Sequence, residues 1–182
     1  MDQRLLSAKY LRMAESIPNS YRAFFDGCCE PRNPGGTAGY GAFIVRGRER
    51  VWEHSGFVPP APTTSNNIAE YLAINEVLDW FLQNEPKTPG FIFGDSQLVI
   101  CQLWGWPTHG RRWKIHGVDT GKRKGFYADA AVAARRKVAR LPKLKGFWIP
   151  REINSEADDL SKSHLRARGV EFRIQPESAE VG

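Results

Sequence analysis

Four acidic residues stand in four separate local contexts: Asp26 in FFDGCCEPRNPGG, Glu70 in TTSNNIAEYLA, Asp95 in FIFGDSQLVI and Asp158 in NSEADDLS. Asp26 and Asp95 each follow a short apolar run that reads as a strand, and a strand end inside a sheet is a costly place for charge. Hard oxygen ligands drawn from distant parts of one chain suit a divalent cation acting on phosphate. Each residue alone has an ordinary explanation. Asp before Gly caps a turn, Glu70 could be a surface helix glutamate, and Asp95 could be a helix N-cap. The set of four is what points to a metal site.

The elements that must carry these residues can be read from periodicity. Residues 21–26 predict a strand, 27–39 a Gly/Pro/Asn turn, and 40–46 and 50–58 two further strands joined at Gly47. That succession is an antiparallel meander. After Pro59, Pro60 and Pro62, Thr64 or Ser65 caps a helix in which Ala69, Ala73, Val77, Trp80 and Phe81 recur at helical spacing to about Asn84. Residues 91–95 predict a buried strand, 96–104 a helix, 126–141 a second helix and 145–150 a last strand. Asn154 opens a final helix that stops at Gly169. Strands that follow helices lie parallel to a neighbour through right-handed crossovers. The expectation is an α/β fold: a mixed five-stranded sheet, three antiparallel strands then two parallel, flanked by helices. Residues 21–169 form this domain. Residues 1–20 read as an extension with a short amphipathic helix (Leu5, Leu6, Tyr10, Leu11, Met13), and 170–182 as a polar tail.

The formal net charge is +6, but its placement says more. Between Arg111 and Arg151 there are 13 basic residues and two acids, a net +11, so the rest of the chain is net acidic. A concentrated basic surface attracts polyanions. Trp104, Trp106 and Trp113 flank its first cluster, and cations beside aromatic rings suit contact with sugar–phosphate and bases. Cys28 and Cys29 are adjacent and Cys101 is alone, which makes neither a zinc site nor a disulfide framework. No apolar run approaches the roughly 20 residues of a membrane span, and the N-terminus has no apolar signal core. The reading is an intracellular, cytoplasmic protein in a reducing compartment, with no membrane partner.

Four words in order, DG with NPGG and GYGA, then SNNIAEYLA, GDSQLVI and PREINSEADDLS, resemble type 1 ribonuclease H over residues 21–168. The resemblance implies a ribonuclease H-like fold and a metal-dependent endonuclease that cuts the RNA strand of RNA/DNA hybrids, leaving 3′-OH and 5′-phosphate ends. Primer removal and R-loop resolution are the uses it implies. Asp26, Glu70, Asp95 and Asp158 become both catalytic residues and ligands of two Mg²⁺ ions, with Mn²⁺ able to substitute. Asn33, Asn66, Asn67 and Gln97 match minor-groove contact positions, where an amide can both donate to and accept from the ribose 2′-OH. Ser65 matches a position that helps to hold a DNA phosphate. The segment 104–125 resembles the family's basic protrusion, with Arg111, Arg112, Trp113 and Lys114 as its candidate contacts to the DNA strand. The family is usually monomeric.

Asp158 has an acidic neighbour, Asp159. At about 100° per residue, Asp158 lies at the edge of the less polar face made by Ala157, Leu160, Ser161, His164 and Leu165. Asp159 lies nearly opposite, among Lys162 and Arg166. The family word AD-x-L selects the same residue. Many family members carry a His just before the last acid. The loop PREINSEAD has none, and Arg151 and Glu152 stand there instead. Two other readings share the sequence: a DNA-acting nuclease of the same superfold, and a non-catalytic hybrid-binding module. The lead of 20 residues from Met1 favours a free-standing protein over the nuclease part of a reverse-transcribing machine.

Overall fold

The computed structural model describes residues 2–105 and 110–173. Trp106 and His109 of the basic segment, and the tail from Ile174 onward, lie outside the described residues.

The meander consists of β1 (Tyr21–Glu30), β2 (Thr37–Arg46) and β3 (Glu49–Val58). It is followed by α2 (Asn66–Asn84), β4 (Gly90–Gly94), α3 (Gln97–Leu103), α4 (Ala128–Ala139), β5 (Lys145–Trp148) and α5 (Ser155–Ala167). A 3-10 turn, Arg151–Ile153, links β5 to α5. An N-terminal helix, α1 (Gln3–Ser16), precedes them all. The sheet order is β3-β2-β1-β4-β5. β2 is antiparallel to both β1 and β3, and β4 is parallel to both β1 and β5. This is the mixed ribonuclease H-like sheet expected from the sequence. Among the described residues, no helix is long and apolar enough to cross a membrane.

One boundary differs in a way that matters. The predicted turn began at Gly27, but β1 runs on to Glu30, with Gly27 paired to Tyr40, Cys28 to Gly39 and Cys29 to Ala38. Both cysteines are buried and behave as small apolar residues, so the ladder absorbs a segment whose glycine and adjacent prolines read as loop. Asp26 therefore sits inside β1 rather than at its end.

The two faces of the sheet are covered differently. α2, α3 and α4 pack on one face around Phe25, Tyr71, Ile74, Leu78, Ile92, Ile100 and Leu103. On the other, α5 lies so close over β2 that a Cβ at Gly39 would strike the carbonyl oxygen of Ser161, and one at Gly41 would strike Leu160. The residues read as an extension make up α1, which covers the remaining part of that face over Phe91, Phe93, Phe147 and Ile149.

Candidate metal centre

The pairing of β1 with β4 brings the first two carboxylates together. It ends at Phe25 opposite Gly94, so the next residues along the two parallel strands are Asp26 and Asp95. Glu70 arrives from α2, whose start is fixed by Ser65 accepting a hydrogen bond from the backbone N–H of Ile68. Asn33 in the β1–β2 turn also accepts from the backbone N–H of Asn66, at 2.9 Å. The helix then approaches β1 closely at Gly27, where a Cβ would meet the backbone N of Glu70 and lie 2.8 Å from the Ala69 Cβ. Gly27 is what allows Glu70 to reach Asp26. One carboxylate oxygen from each of Asp26, Glu70 and Asp95 lies within 4.8 Å of the other two.

This is an unfavourable arrangement without a cation. Asp26 and Glu70 are 4% and 5% exposed. Burial first, then repulsion from Asp95 and Asp158, pushes the Asp26 carboxyl well above the usual range. Burial, then Asp26 and Asp95, does the same to Glu70. Glu70 Oε2 is buried with no hydrogen-bond partner. Among the described residues, none of the ion pairs involves any of the three. An unpartnered buried oxygen in an all-carboxylate group is what a divalent cation with hard ligands would satisfy. The nearby Cys28 offers a soft sulfur, a poor match for a hard divalent cation, and burial pushes its thiol up to about 11.

The raised values fix the sign of a pH effect. A carboxyl whose folded-state pKa is raised stabilises the fold at pH below its unfolded value, and that contribution is lost as pH rises through the folded value. Without metal, Asp26→Asn is therefore expected to melt above the parent at pH 7 to 8, with the gap closing as pH falls toward about 4, the ordinary range of a carboxyl. Thermal melts in chelator across that range measure this. A variant that melts below the parent at neutral pH would remove the charge-repulsion account.

Asp158 is not one of the three. It lies close enough to raise Asp26 electrostatically, but its own carboxylate accepts hydrogen bonds from Arg151, at 3.1 Å, and from Lys162. Burial pushes its pKa up, yet the hydrogen bonds from Lys162 and Arg151 outweigh burial and the net shift is downward. Lys162 therefore belongs to Asp158, and not to the face of Asp159 where the helical wheel put it. Asp159 is exposed and pairs with Arg166 at 3.0 Å. Asp159→Asn is expected to keep activity within about twofold, as an exposed pair carries little energy. Asp158→Asn should lose at least about tenfold, the scale for groups that support a metal site. Steady-state rates on one substrate separate the two.

Several supporting residues were not legible in the sequence. Asn154 reads as a helix cap, and it occupies that position, but its side chain makes no capping bond. Its buried amide instead donates to the carbonyl of Phe25 at 2.9 Å and to Asp95 Oδ1 at 3.2 Å. Asp95 itself is not a cap; Ser96 caps α3. Trp148 Nε1 donates to the backbone carbonyl of Asp95 at 2.9 Å. Ser161 Oγ lies 3.3 Å from Asp26 Oδ2. Only asparagine before SEADD gave any signal, and it pointed elsewhere.

The carboxylates open into a cleft of about 800 Å³. Asn33, Asn66 and Gln97 line it with Arg151 and Lys162, and so do Phe172 and Arg173 from the tail, which had no assigned role. Arg173 pairs with Glu30 at 2.9 Å. Ser65 and Asn67 stand at the start of α2 but are not among the residues lining the cleft, and neither are Arg111, Arg112, Trp113 and Lys114. That basic segment is nevertheless anchored. Trp113 N donates to Cys101 O, Gln102 Nε2 donates to Lys114 O, and Ile115 is fully buried. The Asp119 carboxylate accepts from the Ile115 N–H and from Arg135, which lower its pKa in that order.

No family model matches the chain. Solved structures do. The N-terminal RNase H domain of a Mycobacterium tuberculosis protein, determined as a fusion with maltose-binding protein, superposes with a TM-score of 0.65 at 25% identity, over 85% of this chain and 97% of that one. RNase H1 from the halophilic archaeon Halobacterium salinarum gives 0.63 at 27% identity, over 81% of this chain and 98% of the other. LC11-RNase H1, isolated from compost by a metagenomic approach, gives 0.61 at 26%, over 82% and 98%. That protein has also been solved in complex with an RNA/DNA hybrid.

Proposed function

We propose that this chain, which belongs to the type 1 ribonuclease H family, hydrolyses the RNA strand of RNA/DNA hybrids. The observation that carries the reading is the Asp26–Glu70–Asp95 group, with Asp26 and Glu70 buried and one Glu70 oxygen unpartnered, opening into a cleft lined by Asn33, Asn66 and Gln97. Asp26, Glu70 and Asp95 would hold two Mg²⁺ ions, or Mn²⁺ in their place, with Asp158 as fourth ligand once Arg151 and Lys162 release it. Bound there, the ions supply activation of the attacking water and stabilisation of the leaving oxygen. Water oxygen bonds to phosphorus and the P–O3′ bond breaks, which leaves a 5′-phosphate and a 3′-OH.

The residues of the chain do the rest. Asn154 and Trp148 hold Asp95 from its side chain and its carbonyl. Gly27 admits Glu70, and Ser161 stands beside Asp26. Asn33, Asn66 and Gln97 offer amides that can both donate to and accept from a 2′-OH, the group that separates RNA from DNA. Asn67, at the start of α2, would add a further amide contact in the minor groove, and Ser65 with the anchored Arg111–Lys114 segment would extend contact along the DNA strand. The reading includes a monomeric, cytoplasmic protein that removes RNA primers and resolves R-loops.

The test is incubation with an end-labelled RNA/DNA hybrid and, separately, matched RNA and DNA duplexes, in Mg²⁺ and in chelator. Metal-dependent cutting of the hybrid's RNA strand alone is expected. Binding without cutting would make the chain a hybrid-binding module, and cutting of DNA would move it to another branch of the superfold.

A further inference from the structure

We propose that the N-terminal helix α1 is a positioning element of the carboxylate centre, acting through the end of β5. The proposal rests on reading Asp26, Glu70 and Asp95 as the metal site.

Among the described residues, β5 is a four-residue edge strand paired with β4 alone. Its outer end is gripped by α1 at successive points. The Tyr10 ring stacks on Phe147 with centroids 4.1 Å apart and planes 24° from parallel. Ser7, 2% exposed, places Oγ 2.7 Å from the carbonyl oxygen of Trp148 and 2.9 Å from that of Gln3 in its own helix. The hydroxyl's one proton lies between these two acceptors, and the contact with Trp148 is what links α1 to β5. Arg4 pairs with Glu152 at 3.0 Å on the surface.

The stretch that α1 grips is the one that sets Asp95. Trp148 Nε1 donates to the Asp95 carbonyl, and Ile149 N donates to Gly94 O at 3.0 Å. After the single 3-10 turn Arg151–Ile153, Asn154 holds Asp95 Oδ1 and the carbonyl of Phe25, next to Asp26. The path from α1 to the centre is therefore two hydrogen bonds long: Ser7 to the Trp148 backbone, and the Trp148 indole to the Asp95 backbone. A helix that merely covered Phe91 and Phe147 would need the stacked ring but not the buried hydroxyl.

The experiment titrates Mn²⁺ calorimetrically into the full chain and into Trp148→Phe, Ser7→Ala and Tyr10→Ala, with a thermal melt of each and amide hydrogen exchange at Gly94–Ser96. Trp148→Phe keeps an aromatic ring but deletes the N–H along with part of the indole, and is expected to weaken Mn²⁺ binding about tenfold, the scale of groups that orient a ligand from behind. Ser7→Ala should weaken it about threefold, at the low end of one net hydrogen bond, and speed exchange at Gly94–Ser96. If Tyr10→Ala fails to fold, Ser7→Ala decides. Parental Mn²⁺ affinity and parental exchange in Ser7→Ala, with only a lowered melting temperature, would overturn the proposal. Absence of Mn²⁺ binding in the parent would overturn the metal-site reading instead. Exchange at Gly94–Ser96 would then settle whether α1 holds this strand end.

Discussion

Asp95→Asn is expected to lower the rate of RNA cleavage by about 10³-fold or more, equivalent to about 4 kcal/mol of transition-state stabilisation, while hybrid binding stays within about threefold, under 1 kcal/mol. The asymmetry follows from where the residue sits. An Asp95 carboxylate oxygen lies within 4.8 Å of those of Asp26 and Glu70, where its charge would act on a bound cation, whereas Asn33, Asn66 and Gln97 line the cleft separately. Asparagine keeps the shape of aspartate and keeps an oxygen for the Asn154 amide now bonded to Oδ1. It also removes a charge that raises both Asp26 and Glu70, so the metal-free variant should fold at least as well as the parent. Single-turnover cleavage, hybrid binding in Ca²⁺ and a thermal melt report the three quantities separately. Substantial cleavage by the variant would refute the assignment of Asp95. Lost binding with lost cleavage would mean that Asp95 supports the cleft rather than the chemistry.

The second large effect concerns the basic segment. Replacing Arg111, Arg112 and Lys114 together by alanine is expected to weaken hybrid binding by about 10²-fold at moderate salt and to make the slope of log K against log salt shallower by about 2 to 3. Each lost phosphate contact removes a little under one released counterion, so the slope counts contacts. The result is interpretable because the backbone there is held by groups the substitution leaves alone. Gln102 holds the Lys114 carbonyl, and Asp119 holds the Ile115 N–H while pairing with Arg135. Cleavage at saturating hybrid should be little changed, as none of the three lines the cleft. An unchanged slope would show that this segment does not touch the nucleic acid, and the +11 charge of residues 111–151 would then need another partner.

What the sequence disclosed, and what it hid, divides along physical lines. The mixed five-stranded sheet and the separate contexts of the three clustered carboxylates were legible because each rests on local pattern: three strands in succession at the start, helical spacing in α2, an apolar run before Asp95. The order in which the strands lie side by side was not read. The different sides taken by Asp158 and Asp159 were legible from helical geometry: Asp158 is half-buried, while Asp159 is exposed and paired with Arg166. The partner of Lys162 was not, because a wheel gives directions but not reach, and a lysine four residues on swings back to Asp158. The length of β1 was hidden because Gly27 looks like a turn residue until a helix backbone is placed against it. Asn154 was hidden for a deeper reason. A capping asparagine and one that bridges two strands occupy the same position, and only the tertiary fold brings Phe25 and Asp95 to it.

The docking of α1 on β5 also bears on how the chain is made. Ser7 and Trp148 are 141 positions apart, so α1 leaves the ribosome well ahead of the last strand of the sheet and cannot complete its seat until that strand has followed it. Until then its apolar side and the aromatic surface of β4 both lack their cover, and closing so long a loop comes late in folding. A nascent chain of this protein thus carries an unseated helix until β5 has been made. The stage most exposed to misassembly falls just before β5 emerges.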